Sequence, residues 1–156
     1  MDSRRNFIKK SAIVSAGISL MPSLTFGINN NIEKLKIGMI GVGLRGTNHL
    51  ENLLLRNDIT ITAICDIDPK RTNLAVEKIA QKGFKKPLVF GKDELDYKNL
   101  LALDNVDAVI IATPWLWHTR MAKDAMNAGK YTGLEVSAAN TMEECWDLVN
   151  THEESG

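Results

Sequence analysis

Short apolar runs rich in β-branched residues alternate along the chain with longer segments whose apolar positions recur at helical spacing. The alternation begins at about residue 28. Strands that alternate with helices are typical of successive β-α-β units, which place their strands in a parallel sheet. We therefore expect a doubly wound α/β domain. The pattern predicts strands at 36–40, 60–65, 88–90, 108–112 and 131–135, and helices at 47–56, 69–81, 116–128 and 141–152.

The composition is that of one ordinary soluble domain, since 44% of the 156 residues are hydrophobic and 24% are charged. The 19 basic residues balance the 19 acidic ones, so nothing indicates a nucleic-acid partner. Cys65 and Cys145 are too few for a disulfide framework. His49, His118 and His152 are scattered, and no metal site is predicted.

The N-terminal 27 residues carry four basic residues and one acid. Within this segment an apolar stretch at 11–20 follows the basic residues, and it is shorter than the roughly 20 residues that span a bilayer. Residues 3–9 resemble a twin-arginine export signal, and Thr25-Phe26-Gly27 offers a small-x-small cleavage site. An uncleaved amphipathic anchor is the alternative.

We therefore expect a twin-arginine signal peptide at 1–27, a linker at 28–34 and a dinucleotide-binding domain at 35–156. The export machinery would be a partner, the mature protein would be exported to the periplasm, and no stable membrane span is expected.

A glycine-rich turn, Gly41-Val42-Gly43-Leu44-Arg45-Gly46, lies between the first strand and the first helix. Placed there, G-x-G-x-x-G is a dinucleotide fingerprint. Gly41 permits the tight turn, Gly43 lets the backbone approach a diphosphate, and Gly46 lets the helix pack against the sheet. The free N–H groups at the helix start face the phosphates.

Asp66 ends the second strand, 20 residues after Gly46, where a carboxylate accepts hydrogen bonds from ribose hydroxyls. Its charge would repel a 2′-phosphate, which favours NAD over NADP. Lys70 and Arg71 lie close enough to neutralise such a phosphate. The alternative for residues 66–69 is a simple turn with a helix N-cap.

The segment at 112–118 follows an apolar strand and should emerge at the edge of the sheet where ligands bind. Pro114 is expected to open the next helix, with His118 in its first turn, where the helix dipole keeps the ring neutral. His118 is either a chemical group or a residue that bonds the backbone. Trp115 and Trp117 either wall a nicotinamide pocket or belong to a core or interface.

These motifs together resemble the N-terminal domain of the Gfo/Idh/MocA oxidoreductase superfamily. In most dehydrogenases of that family the last motif reads Glu-Lys-Pro, and the lysine assists proton transfer. Here Val136 and Ser137 replace the lysine and the proline, and a valine cannot exchange a proton. The residues that carry the resemblance are 41–46, Asp66, Thr113, Pro114, His118 and Glu135.

The Glu-Val pair, the Trp-x-x-His motif at 115–118, the run Thr-x-Glu-Glu-Cys-Trp at 141–146 and the twin-arginine leader resemble glycoside hydrolase family 109. The resemblance implies an NAD-dependent α-N-acetylgalactosaminidase. It implies that Leu44 and Arg45 contact the NAD phosphates and that Asp66 contacts the adenosine ribose. The residues implied on the nicotinamide side are Trp115, Leu116, Trp117, His118, Glu135 and Val136.

The same resemblance implies a redox-neutral cycle of oxidation at the sugar C3, elimination of the aglycone, addition of water and reduction. Members carry a second α/β domain that binds the sugar and supplies acid-base groups. We therefore expect this chain to be a fragment, with the catalytic residues of the enzyme beyond Gly156. His118 and Glu135 are the catalytic candidates within the chain.

Two alternatives remain open, a sugar dehydrogenase of the same family and a non-catalytic dinucleotide-binding module. The dehydrogenase would carry out net redox chemistry on a sugar. The module would bind the dinucleotide without turning over any substrate. Assembly as a homo-oligomer is left open.

Overall fold

The computed structural model describes residues 33–155, which form one parallel sheet flanked by helices. The strands are β1 (Leu35–Ile40), β2 (Ile59–Cys65), β3 (Leu88–Phe90), β4 (Ala108–Ile111) and β5 (Tyr131–Leu134). The helices are α1 (Leu44–Leu53), α2 (Pro69–Gln81), α3 (Tyr97–Leu101), α4 (His118–Asn127) and α5 (Met142–Ser155). A 3-10 turn, Trp115–Trp117, precedes α4.

The order of the strands is β3-β2-β1-β4-β5, and every neighbouring pair is parallel. The chain moves outward from β1 to one edge and then crosses to build the other half from β4. The crevice where the order reverses, outside the carboxyl ends of β1 and β4, is where open α/β sheets bind ligands. The predicted doubly wound fold is confirmed.

Two apolar cores lie on opposite faces of the sheet. On one face α1 and α2 cover β1 and β2, with Leu50 and Ile79 completely buried. On the other face α3 and α4 pack on β1, β2 and β4, with Leu100 and Ala125 completely buried. Helix α5 packs against α4. Both faces of the central strands are therefore dry, which explains their continuous apolar sequences.

The pairing of β1 with β2 contains an irregularity between Ile37 and Gly38. Ile37 lies opposite Ile61 and Gly38 lies opposite Ala63, so Thr62 is an extra residue. The extra residue reverses the alternation of side chains, as a β-bulge does. Ile61, before the extra residue, therefore faces one core and Ala63, two positions later, faces the other.

The predicted bounds of α2 and β3 are confirmed, and each of the other strands differs by one residue at one end. The predicted start of the first helix at 47 is wrong, because Gly46 is already the third residue of α1. The predicted helix at 116–128 begins instead with a 3-10 turn, a frequent start of a helix. Helix α3 was missed because five residues are too few to show a helical period.

Both ends of the predicted domain plan reach past the described residues. The predicted signal peptide and most of the predicted linker lie outside them, and so does Gly156, the last residue of the predicted dinucleotide-binding domain. The described part of that domain ends with α5 at Ser155. The expectation that the catalytic residues lie beyond Gly156 therefore stays a prediction. Within residues 33–155, no helix combines the length and apolar character needed to cross a bilayer.

Candidate functional site

The site is a cleft at the carboxyl ends of β1, β2 and β4, beside the glycine-rich turn. Its walls combine the turn, the acidic residue after β2 and the segment after β4, as the sequence predicts for a dinucleotide site. Residues from three strand ends thus meet there. The lining includes Gly41, Gly43, Asp66, Arg71, Thr113 and Trp117.

Two glycines of the turn are required by close backbone packing. Gly41 has a φ of 86°, and a Cβ there would lie 2.7 Å from the carbonyl oxygen of Ala112. A Cβ on Gly46 would overlap the carbonyl oxygen of Gly41. Only glycine at these two positions allows the turn to approach the end of β4 and α1 to begin where it does.

The third glycine of the motif, Gly43, lines the cleft. Its φ of −67° is open to any residue, and a Cβ there would meet the guanidinium of Arg71 at 2.9 Å. Arg71 itself lies 3.4 Å from the Asp68 carboxylate. A bare backbone and a nearby cation are the features that a bound diphosphate requires.

The Asp66 side chain accepts hydrogen bonds from the backbone of two segments, the glycine-rich turn and the residues just before α2. Its Oδ2 accepts the N–H of Val42 at 2.9 Å and its Oδ1 accepts the N–H of Asp68 at 3.0 Å. A carboxylate has about four acceptor positions, so two remain for ribose hydroxyls. The N-cap of α2 is Asp68, whose carboxylate accepts the N–H of Lys70 at 2.9 Å.

The segment after β4 turns three aromatic or apolar side chains outward to different degrees. Trp115 is 64% exposed and Leu116 is 85% exposed. Trp117 is half-buried, lines the cleft and packs beneath the Arg120 guanidinium, 5.4 Å from the ring centre. Of these three side chains, only that of Trp117 lines the cleft.

His118 is 1% exposed and begins α4. Its Nε2 lies 2.8 Å from the carbonyl oxygen of Thr113, and its Nδ1 lies 2.7 Å from that of Ser137. Thr119 adds a hydrogen bond from its hydroxyl to the carbonyl oxygen of Ala138 at 3.1 Å. His118 therefore bonds the backbone, the second of its two interpretations, and joins the segment after β4 to the segment after β5.

Glu135 follows β5 and meets two residues of α1. Its Oε1 accepts hydrogen bonds from Arg45 Nε and Nη2 at 3.1 and 2.8 Å and lies 2.7 Å from His49 Nε2. Its Oε2 accepts the N–H of Val136 at 3.0 Å. The His49 contact, the Val136 N–H and Arg45 together lower the pKa of Glu135 to about 2. Glu135 is therefore a carboxylate, with acceptor capacity only.

Two further residues expected at the cofactor, Leu44 and Val136, are largely exposed, at 83% and 76%. Leu44 is the first residue of α1, and Val136 comes directly after Glu135. An apolar side chain at each place can contact a ligand but cannot exchange a proton with it.

Sequence reasoning missed His49, Asp96 and Tyr97. His49 lies four residues after Arg45, on the same side of α1, and that spacing was the available signal. Asp96 accepts the N–H groups of Lys92 and Gly91 and a side-chain N–H of Asn99. These bonds lower its pKa, the contribution of the Lys92 N–H being the largest. They fix the loop after β3.

Tyr97 is completely buried next to the cleft and donates its hydroxyl to Asp124 Oδ2 at 2.5 Å. Burial, followed by this bond to a carboxylate, raises the pKa of the hydroxyl well above its usual range. The floor of the cleft is thus neutral at Tyr97. Among residues 33–155, no group of three or more His, Cys, Asp or Glu residues could hold a metal ion.

The chain is similar to known proteins over nearly its whole length. A glycosyl hydrolase family 109 protein of Shewanella sp. (strain ANA-3) is 38% identical and matches 96% of this chain. An alpha-N-acetylgalactosaminidase of Shewanella oneidensis is 37% identical over the same share. The chain spans 37% of the length of either relative.

Solved structures share the fold. A probable dehydrogenase from Thermotoga maritima has a TM-score of 0.65 and 26% identity over 78% of this chain and 34% of its own. The WlbA dehydrogenase, solved with NADH and UDP-GlcNAcA, has a TM-score of 0.67 and 23% identity over 78% of this chain and 33% of its own.

The oxidoreductase family model described as an NAD-binding Rossmann fold, Gfo/Idh/MocA, matches residues 35–156. That match covers the sheet, the glycine-rich turn and the cleft. The chain belongs to the Gfo/Idh/MocA family, and its domain is an NAD-binding Rossmann domain.

Proposed function

We propose that this chain is the NAD-binding part of a glycosidase that cleaves α-N-acetylgalactosaminides with no net oxidation. The observation that carries the proposal is Val136, an exposed apolar side chain directly after Glu135. Dehydrogenases that the chain resembles carry a proton-transferring lysine at this position. A relative named as a glycosyl hydrolase family 109 protein and one named as an alpha-N-acetylgalactosaminidase, 38% and 37% identical to the chain, support the same conclusion.

The residues of the cleft fit NAD. Gly41 and Gly46 leave the turn without side chains where the backbone is closest, and Gly43 exposes bare backbone to the cleft. The start of α1 provides N–H groups for a diphosphate. Asp66 retains acceptor positions for two ribose hydroxyls, and its negative charge disfavours a 2′-phosphate.

Bound NAD supplies reversible hydride exchange with the sugar. The chain's own residues bind and orient: the turn at 41–46 holds the diphosphate, Asp66 holds the ribose, and Trp117 bounds the cleft. His118 fixes the segments on either side of it. Val136 performs no proton transfer, so other groups must remove the C2 proton and protonate the leaving group. We place those groups in the part of the relatives that this chain does not cover.

The test is an assay of the full-length gene product on an aryl α-N-acetylgalactosaminide in deuterated water. We expect cleavage without accumulation of NADH, and deuterium at C2 of the released sugar, because elimination breaks the C2–H bond. Direct displacement by two carboxylates leaves that bond intact. Hydrolysis without deuterium at C2 would therefore reject the cycle.

The stoichiometry of NADH separates the proposal from the other two functions. One NADH for each sugar consumed would make the protein a dehydrogenase of the same family. NAD binding without turnover of glycosides or free sugars would instead leave a dinucleotide-binding module. A variant that lacks the carboxylate of Asp66 serves as the control, since it should lose NAD-dependent turnover of either kind.

We further propose export through the twin-arginine route, on the strength of the arginine pair at Arg4 and Arg5 and the apolar stretch after it. The route carries folded proteins, so NAD can be loaded before export. Replacing both arginines by lysine should keep the precursor in the cytoplasm. Normal amounts of mature protein in the periplasm would show that the signal was misinterpreted.

A further inference from the structure

An ion-pair cluster joins the end of β5 to helix α1. One carboxylate oxygen of Glu135 is within hydrogen-bond distance of both Arg45 and His49, and the other accepts the N–H of Val136. The carboxylate therefore receives hydrogen bonds on both oxygens. Its partners come from a helix 86 to 90 residues earlier in the chain and from its own neighbour.

The side chains of the two partners on α1 differ in how freely they can move. Arg45 and His49 are four residues apart, so they project from the same side of the helix. The Arg45 side chain is 64% exposed and the His49 side chain 37% exposed, whereas that of Glu135 is only 12% exposed. Arg45 has a long, flexible side chain, and His49 has a short ring that makes the closest contact, 2.7 Å. Arg45 can thus move away more easily than His49.

Arg45 also lies within the glycine-rich turn motif, at the second position of α1. A guanidinium forms strong charge-assisted bonds with phosphate as well as with carboxylate. A diphosphate at the turn therefore competes with Glu135 for Arg45. If Arg45 moved to the diphosphate, Glu135 would lose two of its hydrogen bonds while a new negative charge came near.

We propose that His49 is a positioning residue for Glu135, which holds the carboxylate against α1 while Arg45 is shared with the NAD diphosphate. The inference rests on the proposed site for NAD. Both the charged imidazole ring and the neutral tautomer protonated at Nε2 can donate this bond. His49 itself does not contact the cofactor in this role.

The first measurement follows the Val136 amide in the ¹⁵N-labelled chain without NAD, because that N–H donates to Glu135. We expect His49→Leu to shift the Val136 resonance, since the carboxylate loses its anchor. His49→Gln should keep the wild-type resonance, because its amide N–H can replace Nε2–H. Asn48→Leu is the matched control, an exposed position next to His49 on α1.

The second measurement is the NAD affinity of the same variants by calorimetry. We expect His49→Leu to weaken binding about fivefold, the effect of losing one net hydrogen bond. His49→Gln and Asn48→Leu should remain within about twofold of the wild type.

An unchanged Val136 resonance in His49→Leu would overturn the positioning role, as would a His49→Gln variant that behaves like His49→Leu. A shifted resonance with unchanged NAD affinity would overturn the link to the cofactor. If the wild-type chain bound no NAD, the proposed site itself would fail, and the Val136 comparison without NAD would still decide the role of His49.

Discussion

Asp66 accepts the backbone N–H of Val42 at 2.9 Å, so the end of β2 is bonded directly to the glycine-rich turn. Val42 is 2% exposed, and its N–H needs a partner inside the protein. The residue that the sequence predicts as a ribose ligand therefore also holds the glycine-rich turn in shape.

Replacing Asp66 by alanine should reduce both stability and NAD affinity, because the N–H groups of Val42 and Asp68 lose their acceptor. We expect a loss of about 2 kcal/mol in the free energy of unfolding, measured by urea denaturation. Asp58→Ala, at an exposed ion pair with Arg56, should cost clearly less than Asp66→Ala because solvent screens the pair. Equal losses in the two variants would contradict the role of Asp66 in the turn.

The glycines of the turn should differ in their tolerance of alanine. Gly46→Ala places a Cβ on the carbonyl oxygen of Gly41 and should cost at least about 3 kcal/mol of stability. Gly43→Ala meets only the flexible end of Arg71 and should cost less than about 1 kcal/mol. Thermal unfolding of the two variants compares them, and a reversed order would refute this account of the turn.

A bulkier residue at Gly43 should affect the cofactor more than the fold. Gly43→Val points a branched side chain into the cleft, where the backbone must approach the diphosphate. We expect a folded protein whose NAD affinity falls at least about tenfold, measured by calorimetry. Unchanged affinity would place the diphosphate elsewhere.

His118→Leu should destabilise the protein even without NAD. The substitution removes a buried ring whose nitrogens lie 2.8 and 2.7 Å from the carbonyl oxygens of Thr113 and Ser137, so at least one of these oxygens loses its N–H donor. The expected cost is about 2 to 3 kcal/mol, measured by urea denaturation. His152→Leu, on the exposed end of α5, should stay within about 0.5 kcal/mol of the wild type. A stable His118→Leu variant would favour the chemical role instead.

Glu135 should titrate far below an ordinary glutamate. His49, the Val136 N–H and Arg45 hold its pKa near 2, against 4.5 for an unperturbed side chain. Since the folded value is the lower one, its stabilising contribution is fully present above pH 4.5 and is lost as the pH falls toward 2.

An NMR titration of the Glu135 side-chain carboxyl carbon should therefore show no change between about pH 7 and 4. In His49→Leu the midpoint should rise, because the largest stabilising partner is gone. A wild-type midpoint near the ordinary 4.5 would show that the cluster does not form in solution.

The two cysteines should react at different rates. Burial is the main cause that raises the pKa of Cys65, to about 12, whereas Cys145 is exposed on α5. The thiolate is the reactive form. We expect one thiol of the native chain to react promptly with a disulfide reagent and the second to react only after unfolding. Two fast thiols would contradict the burial of Cys65.

Much of the fold was predictable because its signals are local. The short apolar runs predicted all five strands, and Pro69 with Asp68 marked the start of α2. Helix α3 was missed because five residues are too few to show a helical period, and the start of α1 was misplaced because Gly46 lies inside its first turn. The extra residue Thr62 in β2 is also invisible locally, since a bulge is defined by the partner strand.

For the site, the sequence by itself determined the glycine-rich turn, the acidic residue 20 positions later and the family. Each of these follows from spacing along the chain, because strand, turn and helix are contiguous. Tertiary structure alone decided that Arg45 and His49 meet Glu135, and that both ring nitrogens of His118 lie within hydrogen-bond distance of backbone carbonyl oxygens. Those partners come from the segments that follow different strands. Parallel strands need long crossovers, so residues that share one edge of the sheet lie far apart in sequence.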